Sequence, residues 1–260
     1  MPPDSPVSLV TGAAGGIGRR LVERLLERGH RVLATDLADP VAEAERSGSL
    51  AGRALDVRDP AGWTAALDDA TSRWGRLDCL FNVAGYVRPG WIHETPAEEI
   101  SRHLDVNAKG LILGSREAAR RMVAQGSGHI VNVASLAGVA PVPGLCLYSA
   151  SKFAVRGFSL AIAESLRPHG VAVTAVCPDA VATALLDLQI DCPEAALTFS
   201  GRRPLTVEEV VRVVVDDVLR RRPIEVLLPA TRGWLAKFAG LLPALGRPLA
   251  PILTRIGRRG

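Results

Sequence analysis

The sequence predicts an α/β fold: a doubly wound, seven-stranded parallel sheet with helices on both faces, followed by a C-terminal helical extension. Three observations predict it. Short runs rich in Val, Leu and Ala alternate with stretches of helical periodicity along most of the 260 residues. The first run, Val7 to Val10, leads into a glycine-rich turn, TGAAGGIG, that opens directly onto a helix. No repeat and no linker divides the chain, so 1–230 reads as one domain and 231–260 as a basic amphipathic extension.

Behind the turn, Ile17, Leu21 and Leu25 set the period of a helix reaching Arg28. Glycines there let the backbone turn sharply and approach a pyrophosphate, to which the helix N-terminus offers unpaired N–H groups. Arg31 to Asp36 is the second strand, and an acid ends it. A carboxylate at that point accepts hydrogen bonds from both hydroxyls of an adenosine ribose and repels a 2′-phosphate; Leu37 leaves no arginine to receive one. Ala51 to Val57 is the third strand, ending in Asp56-Val57, and Asp59-Pro60 starts a helix to Trp74. Leu77 to Asn82 is the fourth strand, followed by Val83-Ala84-Gly85.

Thr95-Pro96-Ala97-Glu98 fits a capping start for a helix carrying Asn107, and a long helix follows from Ala108 to Ala124. His129 to Val133 is the fifth strand, ending near Ser135. Tyr148 to Arg167 is a helix whose small residues Ala150, Ala154, Gly157 and Ala161 permit close packing against a second helix. Val171 to Cys177 is the sixth strand, closed by Pro178; Thr183 to Pro204 has no clear period. Thr206 to Arg221 is a helix opened by Thr-x-x-Glu, and Ile224 to Leu228 is the seventh strand.

Tyr148 and Lys152, four apart on a helix, share one face. A free phenol titrates near ~10, and an ammonium beside it favours the phenolate. With the Ser135 hydroxyl close by, such a set can exchange a proton with an alcohol oxygen.

Composition removes other classes. The chain is 48% hydrophobic and ordinary for a globular protein. Its net charge of +4 sits in the tail: no acid follows Glu225, while Arg232, Lys237, Arg247, Arg255, Arg258 and Arg259 are basic, so nucleic-acid binding is a poor reading. Four scattered cysteines without CxxC read as reduced thiols of a cytoplasmic protein, and five histidines show no metal-ligand spacing. No secretory leader and no apolar run of membrane-spanning length is visible.

The glycine motif, Asp56, the NVAG at 82–85, Asn107 with Gly110, Ser135, Tyr148-x-x-x-Lys152 and the stretch Pro178 to Thr183, in this order and spacing, resemble the short-chain dehydrogenase/reductase family over about residues 5–228. The resemblance implies a Rossmann-type fold and an NAD(P)-dependent oxidoreductase that interconverts a secondary alcohol and a ketone. It implies Tyr148 as acid/base, Lys152 binding the nicotinamide ribose and depressing the tyrosine pKa, Ser135 polarising the carbonyl, and Asn107 holding a relay water. It places Gly12, Gly16, Ile17 and Gly18 at the pyrophosphate, Asp36 and Leu37 at the adenosine ribose, and Asp56 and Val57 at the adenine. Asn82, Ala84, Gly85, Pro178, Val181 and Thr183 would lie along the rest of the cofactor. Two departures stand out: Val83 replaces the family's second asparagine, and Asp179 its glycine after Pro178.

Asp36 points to NAD rather than NADP. Apolar residues in the loops after Gly85, between Leu136 and Leu147, and from Thr183 to Pro204 point to a small hydrophobic or lipid-like alcohol or ketone; they are Val87, Trp91, Val139, Val142, Leu145, Cys146, Leu185, Leu186, Leu188 and Phe199. The alternative is a nucleotide-binding regulatory or scaffold protein of the same fold. The family resemblance implies a homotetramer or homodimer. In the tail, Trp234, Leu235, Phe238, Leu241, Leu242 and Leu245, then Leu249, Ile252, Leu253 and Ile256, recur at helical spacing between prolines. Such a tail folds back over the cleft or an interface, lies peripherally on a membrane surface, or stays disordered.

Overall fold

The computed structural model describes residues 5–42 and 46–241. Seven strands form one sheet in the order β3-β2-β1-β4-β5-β6-β7, every pairing parallel. The strands are β1 (Val7–Thr11), β2 (Arg31–Asp36), β3 (Leu50–Ala54), β4 (Cys79–Asn82), β5 (Gly128–Val133), β6 (Val171–Pro178) and β7 (Glu225–Leu228). Alternation along them divides the core in two. Val7, Leu9 and Leu33 face α2 (Pro60–Trp74), α4 (Leu111–Gln125) and α5 (Cys146–Leu166). Val10, Val32 and Ala34 face α1 (Gly16–Glu27) and the helical run that starts with α7 (Val207–Arg212). The chain winds outward from β1 through β2 and β3, then returns to β1's other side with β4. The strand order therefore reverses between β1 and β4, where open α/β sheets form a crevice at the carboxyl ends.

Several local expectations change. The third strand stops at Ala54, leaving Asp56 and Val57 in the turn, and the fourth starts at Cys79. Thr95 does not cap its helix: its hydroxyl donates to the Trp91 carbonyl, and Pro96 holds the N-cap position with no side-chain bond. The two helices expected around Asn107 are one run, α3 (Ala97–His103), a π-helical segment (Leu104–Gly110) and α4. Such widened turns occur often at functional sites, and this one carries Asn107. By contrast, Asp59 accepts from the Ala61 and Gly62 amides with Pro60 at the first helical position, and Thr206 and Glu209 close a reciprocal capping box. The stretch expected to be irregular contains the one-turn α6 (Ala184–Asp187) and a 3-10 segment (Pro193–Phe199). After Arg212 the helix continues as a π segment (Val213–Val218) and α8 (Leu219–Arg221).

The last described element, α9 (Ala230–Leu241), packs back on the domain. Its Gly233 lies against Leu227, and a Cβ at Gly240 would stand 2.6 Å from the Val139 carbonyl oxygen. The tail's second stripe and Leu242 and Leu245 of the first lie outside the described residues. Among the described residues no helix is long and apolar enough to cross a membrane.

Candidate active site

A cavity of about 910 Å³ opens at the carboxyl ends of the strands and runs from the β1–α1 turn to α9. Its first wall is built by close backbone approach. Gly12 has φ +67°, and a Cβ there would sit 2.9 Å from the Ala84 backbone; one on Gly18 would collide with the Gly12 carbonyl. Thr11 fixes the opposing loop, its Oγ1 accepting from the Val83 and Ala84 amides at 3.0 and 3.1 Å. Val83 therefore keeps the tight turn without the family's asparagine. Helix α1 begins after Gly15 with no side-chain cap and no acid in its first turn. Its first amide groups line the cavity, a donor set suited to a pyrophosphate.

Asp36 ends β2 on the cavity, accepting from the Ala14 amide at 3.0 Å and the Leu37 amide at 2.8 Å, while the Leu37 side chain is 72% exposed. Asp56 is clamped by Arg58, which donates through Nε at 2.9 and 3.0 Å and through Nη2 at 2.6 Å. That hydrogen bonding holds the Asp56 carboxyl below its usual range. Val57 is fixed from beneath by the fully buried Trp63, whose indole N–H donates to the Val57 carbonyl at 2.8 Å.

Ser135, Tyr148 and Lys152 line the same cavity. Ser135 Oγ caps the 3-10 turn Leu136–Gly138 by accepting from the Ala137 amide. Lys152 is buried, and its Nζ donates to the Val133 carbonyl at 2.8 Å. That ammonium lies 5.7 Å from the centre of the Tyr148 ring. Burial pushes the Tyr148 phenol up to about 12, opposed by the Ser135 hydroxyl, and pushes the Lys152 ammonium down to about 8. Desolvation of the phenolate dominates at Tyr148, and the Lys152 ammonium, bonded to the Val133 carbonyl, does not lower the phenol as expected from the sequence.

Of the residues singled out in the sequence, Gly12, Gly16, Ile17, Gly18, Asp36, Leu37, Asp56, Val57, Ala84, Gly85, Pro178, Val181 and Thr183 line this same cavity. Asn82 and Asn107 do not. Asn82 is buried one layer down, its Nδ2 donating to Asn132 Oδ1 at 2.8 Å and Ser115 Oγ at 3.1 Å. Asn107, 1% exposed, accepts from the Tyr86 amide at 2.7 Å and donates to the Tyr86 carbonyl at 2.8 Å and Ser151 Oγ at 3.0 Å. Both its amide protons are used, so its side chain clamps the Gly85-Tyr86 backbone instead of reaching the cavity.

The apolar expectations divide in the same way. Val142, Leu145, Leu185 and Leu186 line the cavity. Val87 and Val139 are buried, and Val87 and Phe199 pack in a small cluster with Leu145 and Ala195. Trp91, Cys146 and Leu188 are not on the lining; Leu188 is largely exposed.

Sequence reasoning missed the group around Tyr86. Its hydroxyl donates to Glu99 Oε2 at 2.8 Å, Arg88 donates to Oε1 at 3.0 Å, Arg102 stacks over the ring, and His103 Nε2 accepts from the Arg88 amide. Burial acts to raise the Glu99 carboxyl, but the bonds from Tyr86 and Arg88 hold it below its usual range. Also missed was Arg232, which lines the cavity from α9. Neither has a local motif; only long-range proximity reveals them.

The short chain dehydrogenase family model matches residues 6–191. The chain belongs to the short-chain dehydrogenase family. This short-chain dehydrogenase is 38% identical over 216 residues to a 3-alpha-(or 20-beta)-hydroxysteroid dehydrogenase of Mycobacterium tuberculosis, covering 81% of this chain and 82% of that one. It is 36% identical to the 2-(R)-hydroxypropyl-CoM dehydrogenase of Xanthobacter autotrophicus, over 83% of this chain and 90% of that one. To the cyclopentanol dehydrogenase of Comamonas testosteroni it is 35% identical, over 81% and 90%. A crystal structure of a short chain dehydrogenase/reductase from Burkholderia phymatum in complex with NAD superposes with TM-score 0.80 at 25% identity, covering 93% of this chain and 95% of that one. The protein is a short-chain oxidoreductase acting on CH–OH groups, with a nucleotide-binding Rossmann fold.

Proposed function

We propose that the protein interconverts a secondary alcohol and a ketone on a hydrophobic substrate, using NAD(H). The observation that carries this reading is the placement of Ser135, Tyr148 and Lys152 in the same cavity as the glycine turn and Asp36. The residues present fit a dinucleotide: the Gly12–Ala84 approach leaves no room for side chains beside the turn, and the uncapped start of α1 supplies donors. Gly12, Gly16, Ile17 and Gly18 would hold the pyrophosphate, Asp36 the adenosine ribose, Val57 and Asp56 the adenine, and Lys152 the nicotinamide ribose. When bound, the nicotinamide supplies or accepts the hydride.

The chain's own residues then handle the proton. Ser135 Oγ holds the substrate oxygen by a hydrogen bond. Tyr148, whose phenol burial pushes further above neutral pH, is protonated there and donates to a carbonyl oxygen during reduction. In the oxidation direction the Tyr148 phenolate would accept the proton of the alcohol oxygen. Val142, Leu145, Leu185 and Leu186 give the substrate end an apolar lining. The substrates in the names of the three relatives, a hydroxysteroid, 2-(R)-hydroxypropyl-CoM and cyclopentanol, support a secondary alcohol. Asp36 with the open Leu37 supports NAD over NADP. A homo-oligomer is supported by the exposed Ile100, Leu104 and Phe153 and by Ala150, Ala154, Gly157 and Ala161, all exposed on α5. The test is a panel of secondary alcohols with NAD⁺ and NADP⁺, read by reduced-nicotinamide absorbance. No turnover with any of them while NADH binds would favour a nucleotide-binding regulator instead.

A further inference from the structure

Asp179, the charged departure from the family's glycine, has its partner in the C-terminal helix. Arg232 Nε lies 2.6 Å from Asp179 Oδ2, and Arg232 Nη2 donates to Ser200 Oγ at 3.4 Å. These three residues come from three separate pieces of the cavity wall. Asp179 follows β6, Ser200 ends the 3-10 segment Pro193–Phe199, and Arg232 lies in the first turn of α9. The Asp179 amide also donates to the Leu228 carbonyl at 2.7 Å, one residue before the loop into α9.

Helix α9 is fitted to this position along its length. Gly233 admits Leu227, and Gly240 admits the Val139 carbonyl. Further along α9, Lys237 pairs with Glu225, which Arg156 of α5 also holds at 2.6 Å. Between these anchors Leu235, Ala236 and Ala239 form cavity wall. Arg232 thus joins α9 to the end of β6 through its ion pair with Asp179, and to the segment 184–200 through its hydrogen bond to Ser200.

We propose that Arg232 is a specificity-determining positioning residue. Paired with Asp179 and bonded to Ser200, it fixes α9 and the segment 184–200 as one closed wall and so sets the size of alcohol or ketone the site admits. The inference rests on the alcohol-oxidoreductase reading given above. Its physical basis is that the two side chains are only partly exposed, so removing either one takes away the contact that holds α9 against the residue after β6 and frees Arg232 from its position beside Ser200. Burial already pushes the Asp179 carboxyl up, opposed by Arg232.

The test compares the full chain with Arg232→Met, Asp179→Asn, the double variant and Arg232→Lys. Amide hydrogen exchange is measured together with NADH affinity, KM and kcat for cyclopentanol and for a hydroxysteroid. Each single change should raise exchange in both 184–200 and 230–241 by about tenfold and leave α5 unmoved. It should raise KM for cyclopentanol about tenfold, change kcat less, narrow the gap between the small and the bulky substrate, and leave NADH affinity within about twofold. The double variant should resemble the worse single one, and Arg232→Lys should restore most of the loss. Loosening confined to 230–241, effects that multiply in the double variant, or unchanged KM would overturn the proposal. If the unaltered protein oxidises no alcohol, the functional reading fails, while the exchange data still decide whether the two segments are tied.

Discussion

Asn107→Ala separates the two roles open to this side chain, clamp and water-holder. The side chain makes three hydrogen bonds, at 2.7, 2.8 and 3.0 Å, from a site only 1% exposed. Two of them satisfy the amide and the carbonyl of Tyr86, and nothing else in alanine can replace them. Taking about 1 kcal/mol for each lost bond, the variant should lose about 3 kcal/mol, since part-buried backbone groups left without partners are not fully rescued by water. For a domain of this size that corresponds to a fall of about 6–12 °C in Tm. Urea and thermal unfolding of the apoprotein measure it, with Asn107→Asp as the intermediate case: it keeps an acceptor for the Tyr86 amide and loses both donated bonds. NADH affinity should fall too, because Gly85 and Tyr86 border the cavity. A variant that unfolds within about 0.5 kcal/mol of the parent but has lost turnover would refute the clamp and return Asn107 to a role exerted in the cavity.

The remaining predictions concern the site and the core. Tyr148→Phe should keep fold and NADH affinity while turnover falls about 10²–10⁴-fold, which steady-state kinetics and nucleotide titration together check. Alcohol oxidation should rise with pH and ketone reduction hold at neutral pH, because burial raises the Tyr148 phenol to about 12 and keeps it protonated; pH–rate profiles in both directions decide this. Asp36→Ala with Leu37→Arg should shift the NADH/NADPH affinity ratio toward NADPH by about 10–100-fold, as a repelling carboxylate is exchanged for a phosphate partner; tighter NADPH binding by the unaltered protein would contradict it. Burial lowers the His129 imidazole to about 3, with Nε2 bonded to Thr174 Oγ1 at 2.9 Å. The unfolded chain then binds the proton first, so stability is complete above the ordinary histidine range and falls as pH drops toward 3. About 2 kcal/mol should be lost between roughly pH 6.5 and 5 in urea melts, and His129→Asn should flatten that dependence.

The sequence by itself determined the order of strands and helices and pointed to one set of residues that line a common cavity. Strand periods, Asp59-Pro60, the Thr206–Glu209 box and the glycine turn are local statements, because caps and turns act within a few residues. The Tyr148–Lys152 face follows from helical spacing alone. Where a side chain's role depends on what lies across the fold, the sequence was mute. Asn82 and Asn107 carry the family's spacing, yet the tertiary structure turns both away from the cavity into buried hydrogen-bond sets, because neighbouring amides and hydroxyls would otherwise be left without partners. Tyr148 and Lys152 are adjacent by sequence, but their protonation is set by desolvation, a property of everything packed around them. Asp179 was visible only as an oddity until α9 brought Arg232 to it from more than fifty residues away. Local order is written in short-range sterics and periodicity; partners, burial and charge state are decided only when distant segments meet and exclude water.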